Sequence, residues 1–190
     1  YESISDNIIL CKNFLPDTMI DLLYVDFLNN RSLFKTSTWK ESDPKKKDNP
    51  VEPEFFSEKC GGFDFWISPS HNPDYNAPAI KGLHKWLFHQ GVEAYINTHK
   101  YNSVFSLLYT RNIKSSIHVI SYNKGGYYNW HRDTAYDTLI TFNLILQKNS
   151  NLKGGNLLFM DGKIIEIPNQ NNVMVVFPSF VDHAITPLEA

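Results

Sequence analysis

From about Ser116 onward the apolar residues of this chain recur every second position, and that alternation limits its second half to antiparallel β structure. Ile117 to Tyr122 forms one such run. Thr138 to Leu146 forms another, with Thr141, Asn143 and Ile145 on one face and Ile140, Phe142 and Leu144 on the other. Gly154-Gly155 turns the chain into Asn156–Met160. Asp161-Gly162 is a hairpin signal, Lys163–Ile167 returns, and Val173–Phe177 follows. Several short strands at regular spacing predict an antiparallel sandwich or barrel.

The N-terminal half has a different pattern. Ile8 to Leu15 is predicted as a short strand ending at Pro16. Asp17 to Leu28 is predicted as a helix, with Met19, Leu22, Leu23 and Phe27 as its core-facing stripe. Ala79 to Asn97 is predicted as a second helix. It contains His84 and His89, whose spacing puts them on different faces as surface or packing residues. Residues 41–58 are polar and interrupted by proline, so they are expected to be a loop. Its Lys45–Lys47 run suits a solvated tip, and a lid over a site is the sharper reading. The fold class is therefore mainly β with N-terminal helices (α+β), in one domain spanning 1–190. About 1–115 serves as support and lid, and about 116–190 carries the chemistry.

That chemistry rests on three residues. His131 and Asp133 are two apart, so on a strand they project from one face, and His183 can join them from a facing strand. Two imidazoles and one carboxylate on one side of a metal leave the other side open, the donor set of mononuclear non-heme Fe(II) sites. Arg132 alternates with these residues and is expected at the surface or in an ion pair, and Asp182, beside His183, is expected to face away. Trp130 is expected to be a packing residue rather than a substrate platform. His71, His99 and His118 are expected to be ordinary structural or surface histidines, and Asp137 is not a ligand.

Bulk properties narrow the partners. With 42% hydrophobic residues the chain can bury a sizeable core, and a net charge of −2 with no basic stripe argues against nucleic acid. No apolar run is long enough to span a bilayer, so no membrane association is expected. Cys11 and Cys60 are expected to be thiols in a reducing compartment, which makes the cytoplasm the expected location.

In order, the chain contains Tyr122, Gly125-Gly126, Trp130-His131-Arg132-Asp133, Gly154-Gly155-Asn156-Leu157 and Phe177-Pro178-Ser179-Phe180, followed by His183 and Thr186-Pro187. These ordered blocks resemble the Fe(II)/2-oxoglutarate-dependent oxygenases, and within them the prolyl-4-hydroxylase-like and PKHD-type group. The resemblance implies a double-stranded β-helix, or jelly roll, with iron held by His131, Asp133 and His183. It implies Fe(II), 2-oxoglutarate and O2 as cofactors, with ascorbate as reductant. Tyr122 resembles the tyrosine that helps to hold 2-oxoglutarate in such families, and Asn143 lies on a strand that commonly lines that pocket. The basic residue such families place after the second histidine is expected beyond Ala190, and the chain is read as ending before the protein does.

The activity implied is hydroxylation of a C–H bond, with a prolyl residue in a peptide or protein as the first expectation. A free amino acid or small metabolite is the alternative substrate. Trp39, Tyr75, Tyr127 and Tyr128 offer aromatic surface for a peptide, although core packing is the commoner use of such residues. A non-catalytic metal-binding jelly roll, acting as a sensor or interaction module, is a separate reading. Asp133 argues against a halogenase, which needs that coordination position for halide, and a zinc hydrolase would require a general base that is not evident beside the triad.

Overall fold

In the computed structural model every residue of the strand Val173–Pro178 is buried, and the fold is built around it. The structure describes residues 2–33, 35–36, 62–67, 76–87, 117–134, 138–147 and 151–189. In chain order the elements are β1 (Glu2–Ser5), β2 (Ile8–Lys12), α1 (Asp17–Asn30), β3 (Lys35–Thr36), β4 (Gly62–Ile67), α2 (Pro78–Trp86), β5 (Ile117–Tyr122), β6 (Tyr128–His131), β7 (Ile140–Ile145), β8 (Lys153–Gly154), β9 (Leu157–Met160), β10 (Ile164–Ile167), β11 (Val173–Pro178), β12 (Asp182–Ile185) and β13 (Leu188–Glu189). One sheet has the order β1-β2-β11-β7 and a second has the order β10-β9-β12-β6. Pairs β13-β8 and β3-β4-β5 complete the strands, and every pairing is antiparallel. The fold is a jelly roll.

The unbroken apolar run of β11 follows from its position, because a strand covered on both faces cannot alternate with polar residues. Val173, Val175 and Phe177 face the second sheet, where they meet Leu157, Phe159, Ile165 and Ile167. Met174 and Val176 face the other way and join Ile9, Cys11 and Ile140, with Phe142 and Leu144 packed against them. The helices cover that outer face: Leu15, Ile20 and Leu23 pack with Ile80, Leu83, Leu144 and Leu146. The alternation read for β7 is thus the division between the sheet interface and the helix side.

The predicted boundaries change where polar side chains act on the backbone. β2 ends at Lys12 instead of Leu15, because Asn13 adopts a left-handed conformation (φ 51°). Asn172 then takes over the ladder with its side chain: its Oδ1 accepts from the Leu15 N–H at 2.8 Å and its Nδ2 donates to the Leu15 carbonyl at 2.7 Å. α1 runs two residues further than expected, to Asn30, whose Nδ2 donates to the Asp26 carbonyl at 2.7 Å and the Asn76 carbonyl at 2.8 Å. Its buried stripe is Ile20, Leu23, Asp26 and Asn30, and Leu22, expected inside, is exposed. The substitution of polar for apolar positions has a cause. α2 has no side-chain cap of its own, and the buried Asp26 carboxylate accepts its Ile80 N–H at 2.9 Å.

The Asp161-Gly162 turn joins β9 to β10 as predicted, with Gly162 at φ 70° and Ile164 opposite Met160. Asp161 also accepts hydrogen bonds from Ser5 Oγ and Asn7 Nδ2, tying the β1–β2 turn to this hairpin. In the Gly154-Gly155 pair both residues have φ 68°. A Cβ on Gly154 would lie 2.1 Å from the Pro187 carbonyl oxygen, so only glycine lets β8 approach β13 this closely. Cys11 is buried. The loop at 41–58, the continuation of α2 over 88–97, and Trp39, Cys60, His71, Tyr75, His89, His99 and Asp137 lie outside the described residues. Among the described residues no helix is long and apolar enough to cross a membrane.

Candidate metal centre

The antiparallel pairing of β6 with β12 sets His131 directly opposite His183. Their rings lie 4.1 Å apart between centroids. Asp133 follows two residues after His131, just beyond the end of β6, and its N–H donates to the Ser179 carbonyl at 2.9 Å. Its carboxylate closes the triangle: Oδ1 is 3.5 Å from His131 Nε2 and Oδ2 is 3.5 Å from His183 Nε2. One ligand atom from each of the three residues can be chosen so that all lie within 4.8 Å of one another. The structure thus brings the three predicted residues together, with Asp133 beyond the strand rather than on it.

The imidazoles are oriented alike. His131 Nδ1 lies 2.7 Å from the Asn129 carbonyl, and His183 Nδ1 lies 3.1 Å from the Val181 carbonyl. A carbonyl oxygen can only accept, so in each ring Nδ1 carries the proton and Nε2 presents its lone pair to the centre. This arrangement is the outer-shell device that fixes the tautomer of a metal-binding histidine. Phe177 backs His183 edge-on at 4.7 Å, and Tyr128 stacks on His131 at 4.0 Å.

Tyr128 reaches that position through a β-bulge. Between the pairs His183–His131 and Ile185–Tyr128, β6 uses one residue more than β12. Tyr128 and His131 consequently share the inner face, while Asn129 and Trp130 are both exposed. Trp130, expected as a packing residue, is for this reason 44% exposed. It lines a shallow depression of about 400 Å³ with Tyr127, Leu158, Ala184 and Thr186. Strict alternation would have put Tyr128 on the wrong face, so its place beside the site was not legible.

The electrostatics suit a cation. Burial, with a smaller contribution from the charge of His131, lowers the pKa of His183 and keeps it neutral and able to donate a lone pair. For Asp133 burial acts upward, but its two histidine neighbours and the hydrogen bond from the Thr141 hydroxyl together outweigh it. Its carboxyl is held below the usual range and is ionised at neutral pH. His183 is almost fully buried, His131 is 17% exposed and Asp133 32%, so the centre opens to solvent on the Asp133 side. Arg132 and Asp182 point away from it and form a paired bridge, Nε to Oδ1 at 2.8 Å and Nη2 to Oδ2 at 2.7 Å. Two imidazole nitrogens and one carboxylate oxygen are the donor set of Fe(II) sites that keep positions free for other ligands.

Residues 117–190 match the family model described as the 2OG-Fe(II) oxygenase superfamily. The chain also resembles solved structures along nearly its whole length. A Pseudomonas putida prolyl-4-hydroxylase is 18% identical with a TM-score of 0.67, over 97% of this chain and 86% of that one. A Trichoplax adhaerens prolyl hydroxylase, solved with a hypoxia-inducible-factor degradation-domain peptide, is 16% identical with a TM-score of 0.63, over 98% and 80%. A viral collagen prolyl hydroxylase from Paramecium Bursaria Chlorella virus-1, in complex with 2OG, is 16% identical with a TM-score of 0.53, over 97% and 90%. No curated protein sequence matches. The donor set of His131, Asp133 and His183 suits Fe(II).

The two expected 2-oxoglutarate residues lie on different sheets. Asn143 is on β7, paired with Val175 and on the same face as Thr141, two residues from it. Tyr122 ends β5, opposite Gly62, and its hydroxyl oxygen is buried. Alternation puts Thr141 on the same face of β7 as Asn143. Its Oγ1 donates to Asp133 Oδ2 at 2.8 Å.

Proposed function

We propose that His131, Asp133 and His183 hold Fe(II), and that the chain hydroxylates a prolyl residue in a peptide or protein. The observation that carries the metal assignment is the convergence of three ligand atoms with both histidine Nδ1 groups tied back to carbonyls. The prolyl assignment draws on the likeness to three prolyl hydroxylases, one of them bound to a peptide. When bound, Fe(II) and 2-oxoglutarate supply the oxidising power: one O2 is consumed, 2-oxoglutarate becomes succinate and CO2, and one oxygen atom converts a substrate C–H to C–OH.

The chain's own groups orient the reactants. Val181 and Asn129 hold the two imidazoles through their carbonyls. Asn143, on the inner face of β7 beside Thr141, and Tyr122 hold 2-oxoglutarate. The opening on the Asp133 side admits substrate, and residues before 116 support and cover the core.

The test is succinate release from 2-oxoglutarate by the full chain under air with Fe(II) and ascorbate, with and without proline-containing peptides, against Asp133→Ala. Peptide-stimulated succinate, together with a peptide gaining one oxygen atom, is expected from the parent and not from the variant. Equal succinate from Asp133→Ala would remove the metal assignment. Stimulation by free amino acids but by no peptide would remove the prolyl-peptide assignment alone.

A further inference from the structure

Ser179 stands in the Phe177-Pro178-Ser179-Phe180 block, yet nothing in the metal centre as described so far uses its side chain. It is completely buried, a costly place for a hydroxyl unless its hydrogen bonds are made. Its backbone N–H donates to the Leu139 carbonyl at 3.0 Å and its carbonyl accepts the Asp133 N–H at 2.9 Å. Its Oγ lies 2.9 Å from Thr141 Oγ1, which lies 2.8 Å from Asp133 Oδ2. The three side chains come from the ends of β6, β7 and β11 and form one line.

The direction of the line follows from its end. An ionised carboxylate only accepts, so Thr141 spends its single proton on Asp133. The oxygen of Thr141 can then only accept from Ser179, whose hydroxyl donates to it. Each donor in the series polarises the next, and the carboxylate receives a strengthened bond.

We propose that Thr141 and Ser179 are positioning residues that hold the Asp133 carboxylate in its metal-binding orientation; this rests on the triad being the iron site. The need is local. His131 and His183 lie on paired strands, whereas Asp133 lies past the end of β6, where no strand pairing constrains it. The Ser179 carbonyl fixes its backbone and the Ser179–Thr141 relay fixes its side chain, so one buried serine sets both.

The test is metal affinity by competition with a chromophoric chelator, using Fe(II) without oxygen and Co(II), on parent, Thr141→Val, Thr141→Ser and Ser179→Ala, with urea midpoints for each metal-free protein. Loss of a group that hydrogen-bonds to a metal ligand commonly weakens metal binding by about 10–100-fold. Thr141→Val is expected to lose about tenfold or more with an altered Co(II) absorption spectrum, Thr141→Ser to stay near the parent, and Ser179→Ala to lose less than Thr141→Val but in the same direction. Affinity and spectrum of Thr141→Val indistinguishable from the parent would overturn the proposal. So would a loss that follows the urea midpoint across all variants. If Thr141→Val does not fold, Ser179→Ala decides, and unchanged affinity there is the overturning result. A parent that binds no metal, or a His131→Ala variant that binds it as well as the parent, would remove the iron site itself and the proposal with it.

Discussion

Replacing Phe177 by leucine should weaken both the fold and the metal centre, and the two effects can be separated. Phe177 is fully buried between the sheets. Its ring meets Phe159 edge-on at 4.8 Å and His183 edge-on at 4.7 Å. Leucine retains most of the buried apolar surface but loses both edge contacts, each worth about 0.5–1.5 kcal/mol for an aromatic pair. The expected destabilisation is therefore about 1–3 kcal/mol, below the roughly 3–5 kcal/mol typical of truncating a buried phenylalanine to alanine. For a chain of this length that corresponds to a fall in melting temperature of about 2–12 °C. Urea denaturation of the metal-free protein measures it, with an unchanged m-value showing that only stability has moved. The His183 ring would then be held chiefly by its Nδ1 bond to Val181, so metal affinity should fall several-fold as well. Met174→Ala is the control. Met174 is equally buried in the same strand but faces the helices, and its truncation should cost about 2–5 kcal/mol with no change in metal affinity. Phe177→Leu at parental metal affinity, or Met174→Ala lowering affinity as much, would refute the idea that Phe177 acts on His183 specifically.

Three further outcomes follow from the same structure. Gly154→Ala should destabilise by more than the roughly 1–3 kcal/mol of backbone strain alone, because its Cβ would meet the Pro187 carbonyl; Gly82→Ala, in open space on α2, should be neutral or stabilising by up to about 1 kcal/mol, and a thermal melt of both checks the contrast. Asp26→Ala should cost about 1–3 kcal/mol by leaving the Ile80 N–H without its acceptor, and Asp26→Asn, which retains an acceptor, should cost less; equal losses in urea would show that the hydrogen bond is not what matters. Tyr122→Phe should weaken 2-oxoglutarate binding more than metal binding in parallel titrations, and an equal loss of both would count against its assigned role.

The parts of the molecule legible in its sequence are those set by local repetition. Alternation placed Thr141 and Asn143 on one face of β7. Val173–Phe177 is legible as a strand, while the burial of both its faces is seen only in the fold. What escaped depends on residues far apart in the chain. Asn172 completes the ladder beside Leu15 from 157 positions away, and Asp26 caps a helix 54 positions later, so α1 buries two polar residues where an apolar stripe was expected. No window along the chain contains both members of these pairs.

The metal centre shows the same division at the level of single side chains, and it suggests which substitutions the site tolerates. Ligand identity needs only residue type and spacing, because any strand pairing that opposes His131 and His183 brings the imidazoles together. Ligand orientation needs the bulge in β6, the carbonyls of Asn129 and Val181, and the hydroxyls of Thr141 and Ser179. Two of those five devices are backbone carbonyls that any residue supplies, so the exposed Asn129 can vary in type while its carbonyl stays in place. The hydroxyl relay cannot vary in that way, since no backbone group stands in for Thr141. Substitutions at Asn129 should therefore leave metal binding intact where Thr141→Val does not, even though Asn129 is closer in sequence to a ligand.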